Sequence, residues 1–122
     1  MEVKIADFTE VIDSILDEYG DEVGGVIGEE VEKIGKEINK KLKTESPKRY
    51  GSYAKGWRTH IKKSLGNVSL VAFNAKKPQL THLLEHGHAK RNGVGSVKAI
   101  PHIAPINDWA QKTLYERIVS RL

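Results

Sequence analysis

The hydrophobic period of this chain changes from steps of three and four to steps of two, and later back again. That change restricts the fold to one built from helices and a sheet together. In the first third, apolar residues recur at Phe8, Val11, Ile12, Ile15, Leu16, Tyr19, Val23, Val26, Ile27, Ile34, Ile38 and Leu42, which keeps one stripe on one helical face. Asp7, with Glu10 three residues later, has the arrangement of a capping box. Gly20, Gly24, Gly25 and Gly28 interrupt the stripe, each costing up to about 1 kcal/mol relative to Ala. The pattern therefore fits a short helix followed by a long one, or a single helix kinked near Gly24-Gly25. Ser46-Pro47 ends it, because proline disfavours helix at the residue before it.

From there the period is two. Tyr53, Trp57, Thr59 and Ile61 alternate with Arg58, His60 and Lys62, as in a half-exposed strand. Gly66-Asn67 suits a two-residue hairpin loop, and Val68 to Phe73 supplies a second strand, closed by Lys76-Lys77-Pro78. Gln79 to His86 reads as a short helix stopped by Gly87, which takes positive φ readily and sets the exit angle after Glu85. Residues 88–99 read as a loop with almost no apolar content, mobile until the protein assembles. Pro101 and Pro105 bracket an extended His102-Ile103-Ala104. Ile106, Ala110, Leu114, Ile118 and Leu122 then fall at four-residue steps, a final helix. The expected fold is α+β: a long N-terminal helix, a small antiparallel sheet with a hairpin, a short middle helix and a C-terminal helix. We expect one domain over residues 1–122, with an acidic helical segment at 1–46 and the sheet, basic loop and last helix at 50–122.

Length and composition fit a soluble globular domain: 122 residues, 39% hydrophobic and 30% charged. Without cysteine, neither disulfides nor thiolate metal sites are available. No stretch approaches the roughly 20 apolar residues that span a bilayer. Met1-Glu2-Val3-Lys4 lacks the basic flank and apolar run of a secretory signal, so an unprocessed protein with no membrane partner is expected. The net charge of +4 conceals a split: residues 1–32 hold eleven acids against one Lys, or −10, and the remainder nineteen Lys and Arg against five acids, or +14. Such asymmetry fits contact with nucleic acid or with a neighbouring copy, and equally an acidic helix beside a basic sheet in one monomer.

His82-Leu83-Leu84-Glu85-His86 matches the H-x-x-E-H pattern of inverted zinc peptidases, in which two histidines on one face hold the metal and Glu activates water. Its helix ends at once at Gly87, and the third ligand would have to be Glu116, far downstream. Surface histidines around a core-facing Leu83-Leu84 are the better expectation. His86, His88 and His102 lack an acidic or thiol partner for a metal, and no metal or cofactor is expected. Gly93-Val94-Gly95 follows no strand and is no dinucleotide fingerprint. There is no nucleophile elbow and no cysteine nucleophile, so an enzyme is not expected. Lys90, Arg91 and Lys98, with Lys62, Lys63, Lys76 and Lys77, suit non-specific phosphate contact. Few aromatics interleave with them, and Trp57 and Trp109 read as core or interface anchors.

Leu83-Leu84-Glu85-His86-Gly87-His88-Ala89-Lys90-Arg91-Asn92-Gly93, followed by Ile100-Pro101-His102-Ile103-Ala104-Pro105, resembles the second half of the tail-component proteins of tailed phages. These are the small head–tail joining or tail-completion proteins of long-tailed phages and prophages. Lys55-Gly56-Trp57-Arg58 resembles the family's preceding strand, so the likeness spans roughly residues 50–122. His102 stands where Phe is common, and Ile106 replaces a small residue. The resemblance implies a structural virion protein of the neck or tail end, needing no cofactor and assembled in a bacterial cytoplasm. It implies a ring of this chain, six-fold, in contact with tail-tube and connector proteins and with DNA passing through the lumen. Tyr53 and Trp57 are the expected apolar anchors of that ring, Glu85 and Gly87 the residues that set the loop, and Lys90, Arg91 and Lys98 its basic contacts.

Overall fold

The computed structural model describes residues 2–46, 51–64, 66–78, 80–89, 96–97 and 101–122. The first third contains one element that its helical pattern hides, β1 (Val3–Asp7), ahead of the helices. Helix α1 (Thr9–Tyr19) follows, buried through Ile12 and Ile15. The Asp7 carboxylate accepts from Thr9 N at 3.0 Å, one residue earlier than a capping box on a helix begun by Asp7 requires, and Phe8 is the N-cap. The break between helices falls at Gly20, where φ is 87°, and a 3-10 turn (Asp21–Val23) leads into α2 (Gly24–Glu45). Gly24 and Gly25 thus begin the second helix instead of kinking it. Ile27, Val31, Ile34, Ile38 and Leu42 form its buried stripe, and Ser46 ends it in an extended conformation ahead of Pro47.

After a short α3 (Gly51–Lys55) come β2 (Trp57–Ser64) and β3 (Asn67–Asn74). Ser64 pairs with Asn67, so Asn67 belongs to β3 and not to the loop expected at Gly66-Asn67. The register suits the facing: Thr59 opposes Ala72 and Ile61 opposes Leu70, turning apolar residues to the helices, and a one-residue slip would reverse every side chain. β1 adds to β3 antiparallel, giving the order β1-β3-β2. The opposite face carries exposed Lys4, Arg58, His60, Lys62 and Phe73.

Short helix α4 (Leu80–His86) precedes β4 (His88–Ala89) and β5 (Ser96–Val97), which pair with each other. The base of the expected loop is therefore a two-residue ladder. Lys90, Arg91 and Lys98 lie outside the described residues, as does the tip of that loop. Helix α5 (Ile103–Ser120) begins three residues before the sequence pattern does. His102-Ile103-Ala104 is not an extended segment, because Pro105 sits in the first helical turn, where a missing N–H costs nothing. Ile106, Ala110, Leu114 and Ile118 are buried, whereas Leu122 is exposed beyond the helix end.

α2 and α5 pack against each other, with α2 also lying over β2 and α5 over β1. Arg117 makes a two-pronged pair with Glu37, and Arg121 reaches Glu29 at 2.7 Å and Glu30 at 2.8 Å. Part of the charge split is thus settled inside the monomer. Lys41 Nζ sits 4.4 Å from the Trp109 ring centre, a cation–π contact between the same helices. Among the described residues, no helix is long and apolar enough to cross a membrane.

Candidate functional site

The end of the molecule where α2 stops and α5 starts holds the densest set of buried polar groups. Glu85, in the last turn of α4, turns its carboxylate to the start of α5. Oε1 accepts from His102 N at 2.8 Å and Ile103 N at 3.0 Å, and Oε2 from Ala104 N at 3.0 Å. The first N–H groups of a helix have no partner within it, so a carboxylate from another element completes the helix and meets its positive end. Burial pushes the Glu85 carboxyl up, but the three backbone N–H groups and His102 outweigh it and hold the group below the usual carboxylate range.

The same carboxylate lies 3.0 Å from His102 Nδ1. A carboxylate only accepts, so Nδ1 carries hydrogen. On the ring's other side, Nε2 is 2.6 Å from the Tyr53 hydroxyl, and Thr81 Oγ1 lies 3.5 Å from that hydroxyl. Burial pushes the Tyr53 hydroxyl up to about 12, keeping it a neutral donor. Tyr53 also meets Trp57 and His102 edge-on, with ring centres 5.3 Å and 5.6 Å away. Trp57 donates its indole N–H to Ser46 Oγ at 2.8 Å, and the Ser46 hydroxyl turns back to Leu42 O. Carboxylate, imidazole and phenol in series resemble a proton relay, but His102 is 2% exposed and Tyr53 not at all. Their hydrogen-bonding atoms are turned to one another.

Two expectations are corrected here. Tyr53 belongs to α3, not to the sheet, and both Tyr53 and Trp57 are fully buried. Their aromatic surfaces hold α3, β2 and α5 together and present nothing to a ring neighbour. His102, expected among ordinary surface histidines, is a core residue. Glu85 is committed to α5, which removes the water-activating group from the H-x-x-E-H match. The side chains of His82 and Leu83 lie outside the described ones, while Leu84 is buried and His86 exposed. Gly87 has φ 77°, the conformation its place after α4 asks of a glycine. Among the described residues, no three His, Asp or Glu converge as a metal site.

Outside this network the chain closes with another lock. Asn74 Nδ2 donates to Tyr53 O at 2.7 Å, while its Oδ1 accepts from Lys76 N at 3.1 Å and Lys77 N at 2.9 Å. Ala75 N donates to Gly56 O at 2.8 Å. A Cβ on Gly56 would lie 2.4 Å from Asn74 Oδ1, so only glycine fits. The turn fixes Lys55, Arg58, Lys76 and Lys77 as an exposed basic corner, and none of the four has a carboxylate within 4.0 Å among the described residues. Glu85 and His102 each stand out in the sequence, whereas Ser46, Asn74 and Thr81 do not. Short polar side chains next to helix and strand ends were the available signal. Elsewhere, an open groove of about 390 Å³ runs between α2 and β2, lined by residues including Glu32, Lys36, Asn39 and His60. Asn39 Oδ1 is buried there without a hydrogen-bond partner among the described residues. Comparison with protein-family models, with curated proteins and with solved structures gives no match to this chain.

Proposed function

We propose that this chain is a non-enzymatic structural subunit of a tailed-phage neck or tail end, acting in head–tail joining or tail completion as part of a closed ring. The observation that supports this reading most is the bond between Glu85 and His102. The two segments that resemble the tail-component family, 83–93 and 100–105, are joined at that pair, 3.0 Å apart. Glu85 of the first segment and His102, Ile103 and Ala104 of the second thus form one architectural unit, a carboxylate-capped helix start. A virion subunit needs such a rigid body and no substrate cleft. In the ring, six-fold by the resemblance, its partners are copies of itself, tail-tube and connector proteins, and DNA in the lumen.

The test is made on tailed particles purified from the encoding strain after prophage induction. The chain should be present by mass spectrometry in a fixed small copy number and lie at the head–tail junction by immunogold labelling. Particles that lack it, or that stay complete and infective when its gene is removed, would sink the reading. A second reading, non-specific nucleic-acid binding, draws on the basic corner of Lys55, Arg58, Lys76 and Lys77. It requires monomeric protein to retain DNA with an affinity that falls steeply with salt.

A further inference from the structure

Exposed charges remain along the chain after α2 and α5 have paired, and two groups of opposite sign among them lie toward opposite ends of the molecule. At one end, Ser46 closes α2 against Trp57, and Glu85 caps the start of α5. The basic corner sits there, beside Phe73, which opposes Arg58 across the ladder and is 37% exposed. At the other end, Arg121 closes α5 onto Glu29 and Glu30 in the first turns of α2. The last turn of α1 and the 3-10 turn lead into that end. Their exposed acids Asp17 and Asp21, with Asp13 one turn earlier on α1, have no cation within 4.0 Å among the described residues, and Tyr19 beside Asp17 is 38% exposed.

α2 has 22 residues and is therefore about 33 Å long at 1.5 Å per residue. That is several times the Debye length of about 8 Å at physiological salt, so neither pole neutralises the other within one copy. We propose that the basic corner with Phe73 receives the acidic α1 end with Tyr19 of a second copy. This deepens the ring reading above and rests on it for its setting. Two different surfaces of the same chain meet, so the contact is heterologous, and it closes into a ring when its rotation permits. The charges steer the encounter and fix its register, while Phe73 and Tyr19 are the aromatic anchors that hold it.

The experiment is charge-swap complementation, read by sedimentation velocity at low salt. One variant reverses the basic pole (Arg58→Glu, Lys76→Glu, Lys77→Glu) and the other the acidic pole (Asp13→Lys, Asp17→Lys, Asp21→Lys). Wild type should self-associate, and each variant alone should associate at least about tenfold more weakly, because reversal sets like charges face to face. Mixed in equal amounts, the two should recover association, since each positive pole now finds a negative one. Recovery also shows that both variants are folded. Phe73→Ala should weaken wild-type association with the salt dependence unchanged. Wild type that stays monomeric, or a mixture with no recovery from two variants whose thermal unfolding remains cooperative, overturns the proposal. If the basic-pole variant instead loses retention of duplex DNA while wild type is a monomer, the corner is a nucleic-acid surface and the proposal fails. Virion localisation with failed complementation would remove this interface and leave the structural role standing.

Discussion

Around Tyr53, Glu85 and His102, one end of the α2–α5 pair is dense with buried polar groups whose bonds join α3, α4 and α5. The other end, from Gly20 to Gly28, is open: Gly24, Gly25 and Gly28 have nothing within 4 Å of where a Cβ would stand, and α2 starts there without a side-chain cap. Both ends begin a helix, and they solve the same problem differently. α5 has its first N–H groups satisfied by a carboxylate seventeen residues or more away, whereas α2 relies on the preceding 3-10 turn. The difference teaches where this chain invests specificity. The locked end tolerates little change, and the open end has stability in reserve.

If the locked end is the keystone, its largest side chain should dominate. Trp57→Ala removes a fully buried indole and the Ser46 bond, and should cost about 3–5 kcal/mol, read as a lowered urea midpoint. A loss below about 1 kcal/mol would place the keystone elsewhere.

Glu85→Ala comes next. It strips three backbone N–H groups and an imidazole of their acceptor, and a hydrogen bond to a charged group is worth about 1.5–3 kcal/mol net. Acidification should imitate it. The Glu85 pKa in the fold lies below its ordinary 4.5, so its contribution is present above pH 4.5 and fades as pH falls through the folded value. Urea unfolding should show wild type losing more stability than Glu85→Ala on going below pH 4.5; parallel losses would mean that Glu85 is not the group responsible. On the alkaline side the sign reverses. Tyr53 is raised from 10.0 to about 12 by burial, so its contribution is intact below pH 10 and disappears between 10 and 12. Tyr53→Phe should be flatter than wild type across that window.

These residues also show what the sequence makes legible. The stripes of α2 and α5 are readable because each helix buries one face, and Ile34, Ile38, Leu114 and Ile118 are all fully buried. β1 is not readable in the same way: Val3–Asp7 becomes a strand by pairing with Ala72, Val71, Leu70 and Ser69, partners more than sixty residues away. The hairpin is readable as an element but not in its register. Gly66-Asn67 looks like the loop, yet Asn67 pairs with Ser64 as part of β3. A shift of the loop by one position leaves every side chain on the same face, so the alternation along the strands cannot tell the two apart. Glu85 and His102 each stand out alone. Their bond depends on Pro105 lying inside α5, and a proline between two apolar segments reads locally as a break.

The smallest effect is expected at the open end, and its sign is opposite. Gly28 lies inside α2, and a Cβ there would meet open space. Gly28→Ala should therefore stabilise the chain by up to about 1 kcal/mol, through helix propensity and a less flexible unfolded state. Gly56→Ala is the matched control, because the same added methyl would sit 2.4 Å from Asn74 Oδ1 and must push the basic turn apart. Equilibrium urea unfolding of the two variants should move the midpoint in opposite directions. Gly28 also lies near the end where a second copy would dock. An open helix start that a second copy approaches closely has reason to lack side chains, so Gly28→Ala should raise monomer stability and, if that approach reaches Gly28, weaken self-association. A variant that is more stable and associates as wild type does would place the acidic contact on α1 and the 3-10 turn, clear of α2.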